Sequence, residues 1–294
     1  MGERVGIVGI GLMGSALSGN LLQAGFEVQG FDVDGRRVDE FAERGGVPVG
    51  SPAEAARGVR WMITSLPTSD IVREAVFGPK GIAEGAGKGL IYCDASTSRP
   101  EDSARLGAEL AERGIRFLDT AVSGTSAMAW KKDLVIIAGG KAEDFEACKP
   151  YFAAISRSAY HMGPAGSGAL TKLIINLVLN GNRFVLAEGL VLGEKAGMEG
   201  KKLLNVLQDG ACFSKTMIDK GPKMLEGDYT PEGRLSPKDF RLMLEQGQRY
   251  NAPLLATNVL HQVVQAACQM GLAGQDPVAF IEVLRTMAGL PRRG

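Results

Sequence analysis

Histidine and cysteine are scarce in this chain, and its positive and negative charges cancel. Only two of the 294 residues are histidine, which leaves few imidazoles for acid and base chemistry. The four cysteines lie far apart without a Cys-x-x-Cys pair, which excludes a zinc knot and indicates buried thiols of a reducing compartment. Lysine and arginine total 33, as do aspartate and glutamate, so no bulk field attracts nucleic acid or a membrane.

The start of the chain also lacks a basic segment followed by an apolar stretch and a small-residue cleavage site. We therefore expect no signal peptide and a cytoplasmic protein. Apolar residues make up 45% and charged residues 22%, which is ordinary for a globular protein. The length fits two domains of about 150 residues each, and we predict no bound metal.

Short β-branched segments alternate with helix-length segments in the first half of the chain. This alternation predicts a βαβ series and a doubly wound, mostly parallel sheet. The predicted strands are Val5–Val8, Glu27–Phe31, Trp61–Thr64, Leu90–Cys93, Arg116–Leu118, Leu134–Ala138 and Ser158–His161.

The pattern becomes helical after residue 163. From Ala169 to Lys195 apolar residues recur at helical spacing, which predicts one helix of about 40 Å. Four polar residues interrupt it and argue against a membrane span: Lys172, Asn176, Asn180 and Arg183. Further helices are predicted at Lys201–Leu207, Ser214–Leu225, Lys238–Tyr250, Pro253–Met270 and Pro277–Thr286. We therefore predict an α/β domain over residues 1–163 and an all-α domain over residues 164–294.

The hexapeptide GIGLMG follows the first predicted strand and opens a helix, which is the context of a dinucleotide-binding Rossmann fingerprint. Gly9 permits the tight turn, Gly11 the approach of the pyrophosphate, and Gly14 the packing of helix on strand. The N–H groups at the helix start, at Leu12 and Met13, would bind phosphate. The alternative is a helix-packing glycine cluster that binds no ligand.

Asp32 ends the second predicted strand, 18 residues after Gly14, where an acid binds the adenosine ribose. Its charge would repel a 2′-phosphate, so NAD is favoured over NADP. Arg36 and Arg37 follow and could accept that phosphate if the loop turned towards it. The plainer interpretation of this segment is a turn with a helix cap.

Hydroxyl-bearing loops follow the later predicted strands, at the edge where doubly wound sheets bind ligands. They contain Leu66 and Pro67, then Thr97, then Ser123 to Thr125. Their hydroxyl and N–H groups suit a nicotinamide ribose or a carboxylate. Taken singly, each loop is equally a helix N-cap.

Lys172 and Asn176 lie one turn apart on the long predicted helix and so share a face. An exposed polar stripe would give the same spacing. Lys238 begins a later helix, the unfavourable end for a cation. Since His161 and His261 lie outside all these motifs, a lysine with a lowered pKa is the better acid or base candidate.

These motifs together resemble the β-hydroxyacid dehydrogenase family over essentially the whole chain. The matching segments are residues 9–25, 119–134 and 163–176, followed by Lys238 with Asp239. The resemblance implies hydride transfer between a nicotinamide and a small hydroxy acid or semialdehyde. It assigns the acid or base role to Lys172 and substrate contacts to Ser123, Gly124 and Asn176. The cofactor contacts that it implies are Leu66, Pro67, Thr97 and Lys238.

Three positions depart from the family pattern. Thr125 replaces a glycine beside the expected substrate acid group, Lys132 replaces another glycine, and the segment around Arg234 is short. We therefore hypothesise a substrate with a bulkier or second anionic group, such as a sulfonate or dicarboxylate semialdehyde, to which Thr125 and Arg234 contribute.

The interpretation is an NAD(P)-dependent oxidoreductase acting on a small anionic substrate. Two other functional hypotheses stay open: an imine-reducing relative of the same fold, and a non-catalytic Rossmann-type binding protein. Long apolar helices in the second domain also predict burial against another subunit, as a homodimer or homotetramer.

Overall fold

The computed structural model describes residues 3–233 and 235–293. Arg234 lies outside the described residues. The chain divides into two compact units, Met1–Lys172 and Leu173–Gly294. The boundary predicted at residue 163 precedes this division, which falls inside a helix.

The first unit is built on one sheet of eight strands. They are β1 (Arg4–Val8), β2 (Glu27–Phe31), β3 (Val47–Pro48), β4 (Trp61–Thr64), β5 (Ile91–Asp94), β6 (Arg116–Ser123), β7 (Val135–Gly140) and β8 (Ser158–His161). Their spatial order is β3-β2-β1-β4-β5-β6-β7-β8, and each neighbouring pair is parallel except β6 with β7. The order reverses between β1 and β4, where doubly wound sheets bind ligands. The predicted doubly wound, mostly parallel sheet is confirmed.

Successive residues of the central strands belong to two separate apolar clusters. Ile63 and Ile91 pack in one cluster, whereas their neighbours Met62 and Tyr92 pack in the other. Because strand side chains alternate between faces, both faces of this sheet are covered. This double burial explains why the predicted strands are continuous apolar runs.

The helices of the first unit begin at the polar turns that follow the strands. They are α1 (Leu12–Gln23), α2 (Gly35–Glu43), α3 (Pro52–Ala56), α4 (Ser69–Phe77), α5 (Ile82–Gly85), α6 (Pro100–Glu112), α7 (Ser126–Trp130) and α8 (Ala142–Ile155). The side chains of Asp34, Ser51 and Thr68 accept hydrogen bonds from N–H groups in the first turns of α2, α3 and α4. These caps satisfy N–H groups that a helix start leaves unpaired.

The second unit is helical around its own core. Helix α9 (Ser167–Lys195) begins in the first unit and continues into the second. It is followed by α10 (Gly200–Asp209), α11 (Lys215–Asp219), α12 (Gly221–Glu226), α13 (Lys238–Arg249), α14 (Leu255–Ala267) and α15 (Ile281–Met287), with a π-helical turn at Cys268–Leu272 and a 3₁₀ turn at Pro277–Phe280. Leu186, Phe240 and Phe280 pack in its core. The predicted all-α architecture is confirmed.

The structure adds one short strand that was not predicted and divides one predicted helix, each for a local reason. Strand β3 has only two residues at the sheet edge, one of them Pro48, so it carries no periodic pattern. The single helix predicted over Ser214–Leu225 is divided into α11 and α12. Pro222 lies in the first turn of α12, where its missing N–H costs nothing, and it cannot continue a preceding helix.

Helix α9 is long and apolar enough to cross a membrane by length and composition alone, and it is the one described helix that meets this test. Core helices of other proteins meet the same test. The polar residues noted above, Lys172, Asn176, Asn180 and Arg183, all lie on it.

Lys132 adopts the left-handed backbone conformation, with φ 56°, two residues after α7 ends. A side chain in this conformation costs about 1 kcal/mol, which accounts for the glycine that the family has here.

Lys132→Gly is therefore expected to raise the free energy of unfolding by about 0.5–1 kcal/mol, the relieved strain less the entropy that glycine adds to the unfolded chain. Chemical denaturation measures the difference. The neighbouring Lys131 has φ −94°, so Lys131→Gly should instead lower stability. A destabilised Lys132→Gly variant would contradict the strain.

Candidate active site

The glycine fingerprint forms a tight cradle between β1 and α1. Gly9 has φ 91°, and a Cβ there would lie 2.9 Å from Leu66 Cδ2. A Cβ on Gly14 would overlap the Gly9 carbonyl oxygen, whereas one on Gly11 would lie no closer than 3.5 Å to Arg37. Gly9 and Gly14 therefore close the turn, and Gly11 faces open space.

The start of α1 fits a phosphate group. Within the described residues, no side chain caps this start and no acidic residue lies in its first turn. Among the described residues, the first N–H groups of α1, at Leu12 and Met13, therefore have no side-chain acceptor and no acidic residue in their own turn. Leu12 is exposed, so a ligand can reach this backbone. A dinucleotide pyrophosphate is the group that such a start suits.

Asp32 holds the fingerprint loop and the start of α2 in place. Its Oδ2 atom accepts a hydrogen bond from the Ile10 N–H at 2.6 Å, and its Oδ1 accepts one from the Asp34 N–H at 2.9 Å. Arg37 lies 3.6 Å from both Asp32 and Asp34, and Arg36 lies 3.4 Å from Asp34. The two arginines are thus paired with carboxylates at the expected ribose position.

A cavity of about 400 Å³ adjoins the fingerprint, lined by Gly11, Leu12, Arg37, Arg44 and Trp130, among others. The Trp130 ring packs on Gly19 of α1, and the Arg44 guanidinium lies 5.5 Å from its centre. Trp130, part of the segment in which Lys132 departs from the family, therefore lies against the first helix.

A buried hydrogen-bond network joins the loops after β4 and β5. The Leu66 N–H donates to Ser96 Oγ at 2.9 Å, and the Ser96 N–H donates to Asp94 Oδ1 at 3.0 Å. Thr64 donates to the same carboxylate oxygen at 2.8 Å. Burial raises the pKa of Asp94 above its ordinary value. This network brings the Leu66–Pro67 loop beside the Ser96–Thr97 loop at one sheet edge.

Asp119 fastens the start of α9 to strand β6. Its two carboxylate oxygens accept hydrogen bonds from the Gly166 N–H at 2.8 Å and the Ala169 N–H at 2.7 Å. A Cβ on Gly168 would lie 2.7 Å from Asp119 Oδ2, so glycine provides the space for this contact. Burial raises the pKa of Asp119 to about 7, against the lowering effect of these hydrogen bonds. Lys172 follows three residues after Ala169 on the same helix.

Ser123 ends strand β6, four residues beyond Asp119, and Gly124 follows it. Gly124 has φ 139°, and a Cβ there would lie 2.5 Å from Leu134 Cδ2, so only glycine fits without rearrangement. Thr125 Oγ1 accepts a hydrogen bond from the Met128 N–H at 3.3 Å and caps α7. The hydroxyl of Thr125 is thus used in helix capping, and its role in substrate binding stays a prediction.

In the second unit, Asn176 donates from Nδ2 to Asp239 Oδ2 at 3.2 Å. Asp239 is the neighbour of Lys238, which begins α13. The contact brings two of the predicted motifs together and fixes the orientation of the Asn176 amide.

Sequence reasoning placed Asp119 inside a motif without giving it a role, and it left Asp94 and Ser96 unassigned. Their contacts join residues far apart in the chain: Asp119 bonds to residues 47 and 50 positions later. The one sequence feature that could have identified them is a carboxylate or hydroxyl side chain directly after an apolar strand.

Comparison with known proteins agrees with this geometry. Residues 4–163 match the family model of the NAD-binding domain of 6-phosphogluconate dehydrogenase. Residues 166–284 match the NAD-binding model of NADP-dependent 3-hydroxyisobutyrate dehydrogenase. Glyoxylate/succinic semialdehyde reductase 1 of Arabidopsis thaliana is 32% identical over 251 residues, 85% of this chain and 87% of that protein. The chain belongs to the β-hydroxyacid dehydrogenase family.

Solved structures of this family share the fold of the whole chain. The 3-hydroxyisobutyrate dehydrogenase of Mycobacterium tuberculosis superposes with a TM-score of 0.88 at 25% identity, covering 97% of this chain and 100% of that chain. An imine reductase from Myxococcus stipitatus has a TM-score of 0.68 at 16% identity, covering 97% and 100%. The imine reductase is therefore similar in fold alone, and the β-hydroxyacid dehydrogenase resemblance is confirmed.

Asp119→Asn tests the titration of this anchor. Folding raises the pKa of Asp119 from 3.8 to about 7, so over that range the native state holds a proton that the unfolded chain has lost. Stability from Asp119 is complete below about pH 4 and declines as pH rises to about 7. Asparagine does not titrate, so the wild type should lose roughly 2 kcal/mol of stability relative to Asp119→Asn from about pH 5 to 8, measured by urea denaturation. A constant difference would contradict the raised pKa.

Proposed function

We propose that this protein interconverts a small 3-hydroxy acid and its semialdehyde with a nicotinamide cofactor. The observation that carries the proposal is the anchoring of α9 by Asp119. It ties the helix that carries Lys172 to the strand that carries Ser123 and Gly124. The Arabidopsis relative is named as a glyoxylate/succinic semialdehyde reductase, which supports the same chemistry.

Oxidation of the alcohol removes a hydride from its carbon and a proton from its oxygen, leaving a carbonyl. A bound nicotinamide supplies the hydride acceptor, and in reduction the hydride donor. In this proposal the neutral amine of Lys172 accepts the proton and becomes an ammonium, which returns the proton in reduction. The two imidazoles lie in other surroundings: His161 Nε2 is 2.8 Å from the Gly140 carbonyl oxygen, and the buried His261 ring stacks on Phe240 in the second unit.

In this proposal Ser123 and Gly124 bind the substrate carboxylate. Gly124 is exposed and has a positive φ, and it directly follows Ser123, the last residue of β6. A turn of this kind suits an anion, which its backbone N–H groups and the Ser123 hydroxyl would bind. Asn176 orients the substrate or Lys172, because its amide is held by Asp239. Leu66, Pro67 and Thr97 line the nicotinamide side, Lys238 contacts the cofactor, and residues 9 to 14 bind its pyrophosphate.

We propose that NAD is preferred over NADP. The Asp32 side chain is only 5% exposed and faces the fingerprint loop, where its charge opposes a 2′-phosphate. Arg36 and Arg37 are neutralised by Asp34 and Asp32, so they offer less attraction than free guanidinium groups.

We further propose that the chain forms a homodimer or homotetramer through α9. Ile174, Val178, Val185 and Leu192 are exposed apolar residues spaced four and seven positions apart, so they form one stripe along this helix. Such a stripe is self-complementary, which suits the two-fold contact of identical subunits. A second copy of this chain is therefore the occupant that we assign to it.

A cytoplasmic location is also proposed. Cys93 and Cys148 are buried with their sulfur atoms 3.9 Å apart and not bonded, as expected for thiols kept in a reducing compartment. Cell fractionation tests the location, and recovery outside the cytoplasm would contradict it.

Lys172→Ala is expected to lower kcat by at least about 100-fold, because an acid or base group contributes that much or more. The dissociation constant for NADH, measured by fluorescence, should change less than twofold. Lys195→Ala is the matched control, since Lys195 lies on the same helix at its exposed end. Retention of a tenth of the wild-type rate would refute the role.

Asp32→Asn is expected to raise the ratio of kcat/KM for NADP to that for NAD by tenfold or more. Removal of the carboxylate charge ends the repulsion of a 2′-phosphate and releases Arg37 from one of its two carboxylate partners. Asp39→Asn, an exposed change on α2, should leave the ratio unaltered. An unchanged ratio in Asp32→Asn would argue against the proposed role of this residue.

Val185→Glu should dissociate the oligomer, because it puts a charge in the middle of the apolar stripe. Sedimentation velocity compares it with wild type and with Val206→Glu, an equally exposed position on α10. A wild-type protein that is monomeric at micromolar concentration would overturn the proposal.

A further inference from the structure

The second unit contains a partly buried guanidinium that the proposed reaction does not use. Arg183 lies on α9, and its NH1 donates one hydrogen bond, to Asn180 Oδ1 at 3.0 Å. Its Nε atom is buried and has no hydrogen-bond partner among the described residues. A buried charged group without a full set of partners is costly, so its presence calls for an explanation.

Three carboxylates lie near Arg183, and two of them form ion pairs with Lys220. Asp276 and Glu232 each lie 2.7 Å from Lys220 Nζ, and Asp219 is exposed. Within the described part of the chain, none of these carboxylates forms an ion pair with Arg183. Burial lowers the pKa of Arg183, and the attraction of these three carboxylates partly opposes that shift. Arginine is charged in proteins, so this guanidinium is a cation without a direct anionic partner among the described residues.

Arg183 lines a cavity of about 100 Å³, which is the liquid volume of about three water molecules. Polar groups of Asn176, Asn180 and Ser236 line it as well, and Phe240 and Phe280 close it. Asp239 also lines the cavity, where its carboxylate accepts the hydrogen bond from Asn176 Nδ2. The space is sufficient for one carboxylate or sulfonate group.

The helix itself relates this cavity to Lys172. Residues 172, 176, 180 and 183 are separated by four, four and three positions, so they lie on one face of α9. At 1.5 Å per residue, the Cα atoms of Lys172 and Arg183 are about 16 Å apart along the helix.

We propose that Arg183, with Asn180, binds a second anionic group of the substrate, a terminal carboxylate or sulfonate. This inference rests on the proposed function, since it defines the class of hydroxy acid on which the enzyme acts. It also assigns the second anion to α9, whereas the sequence hypothesis had assigned it to Thr125 and Arg234.

The test uses 3-hydroxy acids that carry a side arm on the α-carbon. The arm has one, two or three carbons, and at each length it ends in a carboxylate, a sulfonate or an uncharged methyl group. Production of NADH by the wild-type protein gives kcat/KM for each compound. We expect a charged arm of the right length to exceed its methyl-ended counterpart by at least tenfold. Comparison of the two charged ends then distinguishes carboxylate from sulfonate.

Three variants locate the effect. Arg183→Met should lose tenfold or more in kcat/KM for the charged compound, mainly through KM, with the methyl-ended compound unaffected. Arg183→Lys should retain part of the preference, because a cation remains. Arg241→Met, an exposed arginine on α13 outside the cavity, should behave as wild type.

Equal rates for charged and methyl-ended arms in the wild type would overturn the inference and leave the proposed function standing. A preference that survives in Arg183→Met would also overturn it. Absence of both NADH production from NAD and NADPH production from NADP, with every compound, would overturn the proposed function together with the inference. Because the first comparison uses only wild-type protein, it decides the matter even if Arg183→Met fails to fold.

Discussion

The carboxylate of Asp119 is the contact on which the arrangement of the candidate site depends. Its oxygens accept the N–H groups of Gly166 and Ala169, so a buried strand fixes the first turn of a 29-residue helix. The same strand ends four residues later at Ser123, which Gly124 follows. One side chain therefore sets the proposed proton-transfer residue, Lys172, in relation to the proposed carboxylate-binding turn.

Carboxylates also hold the loops near the glycine fingerprint. Asp32 accepts N–H groups from the fingerprint loop and from the turn before α2, and Asp94 holds Ser96, which holds the Leu66 loop. In each case a carboxylate at the end of a strand organises loops that come from different parts of the chain. The proposed NAD preference follows from one of these structural carboxylates, because the charge that holds the loop also opposes a 2′-phosphate.

Much of the fold could be predicted because it depends on local patterns. The bounds predicted for β2, β4 and β8 agree with the structure, since apolar β-branched runs between turns specify buried strands. The fingerprint was recognisable because strand, glycines and helix occur in order. By contrast, β3 is too short for a pattern, and the conformation of Lys132 shows only as a missing glycine.

The long-range contacts could not be predicted from one sequence. Nothing near Asp119 indicates that its partners lie 47 and 50 residues away, and nothing near Arg183 indicates a cavity formed with α13 and the 3₁₀ turn at Pro277–Phe280. Their chemistry depends on burial, which raises the pKa of Asp119 and leaves Arg183 Nε without a partner within residues 3–233 and 235–293. The sequence identified the residue types, and the tertiary structure determines their roles.

The most direct test of the central claim, that Lys172 carries the proton, is chemical rescue. A small primary amine such as methylamine, added to Lys172→Ala, should restore part of the hydroxy-acid oxidation rate in proportion to amine concentration, with no effect on wild type. Amines of different basicity should follow a Brønsted relation. If no amine restored activity to a folded, NADH-binding variant, Lys172 would not be the group that transfers the proton.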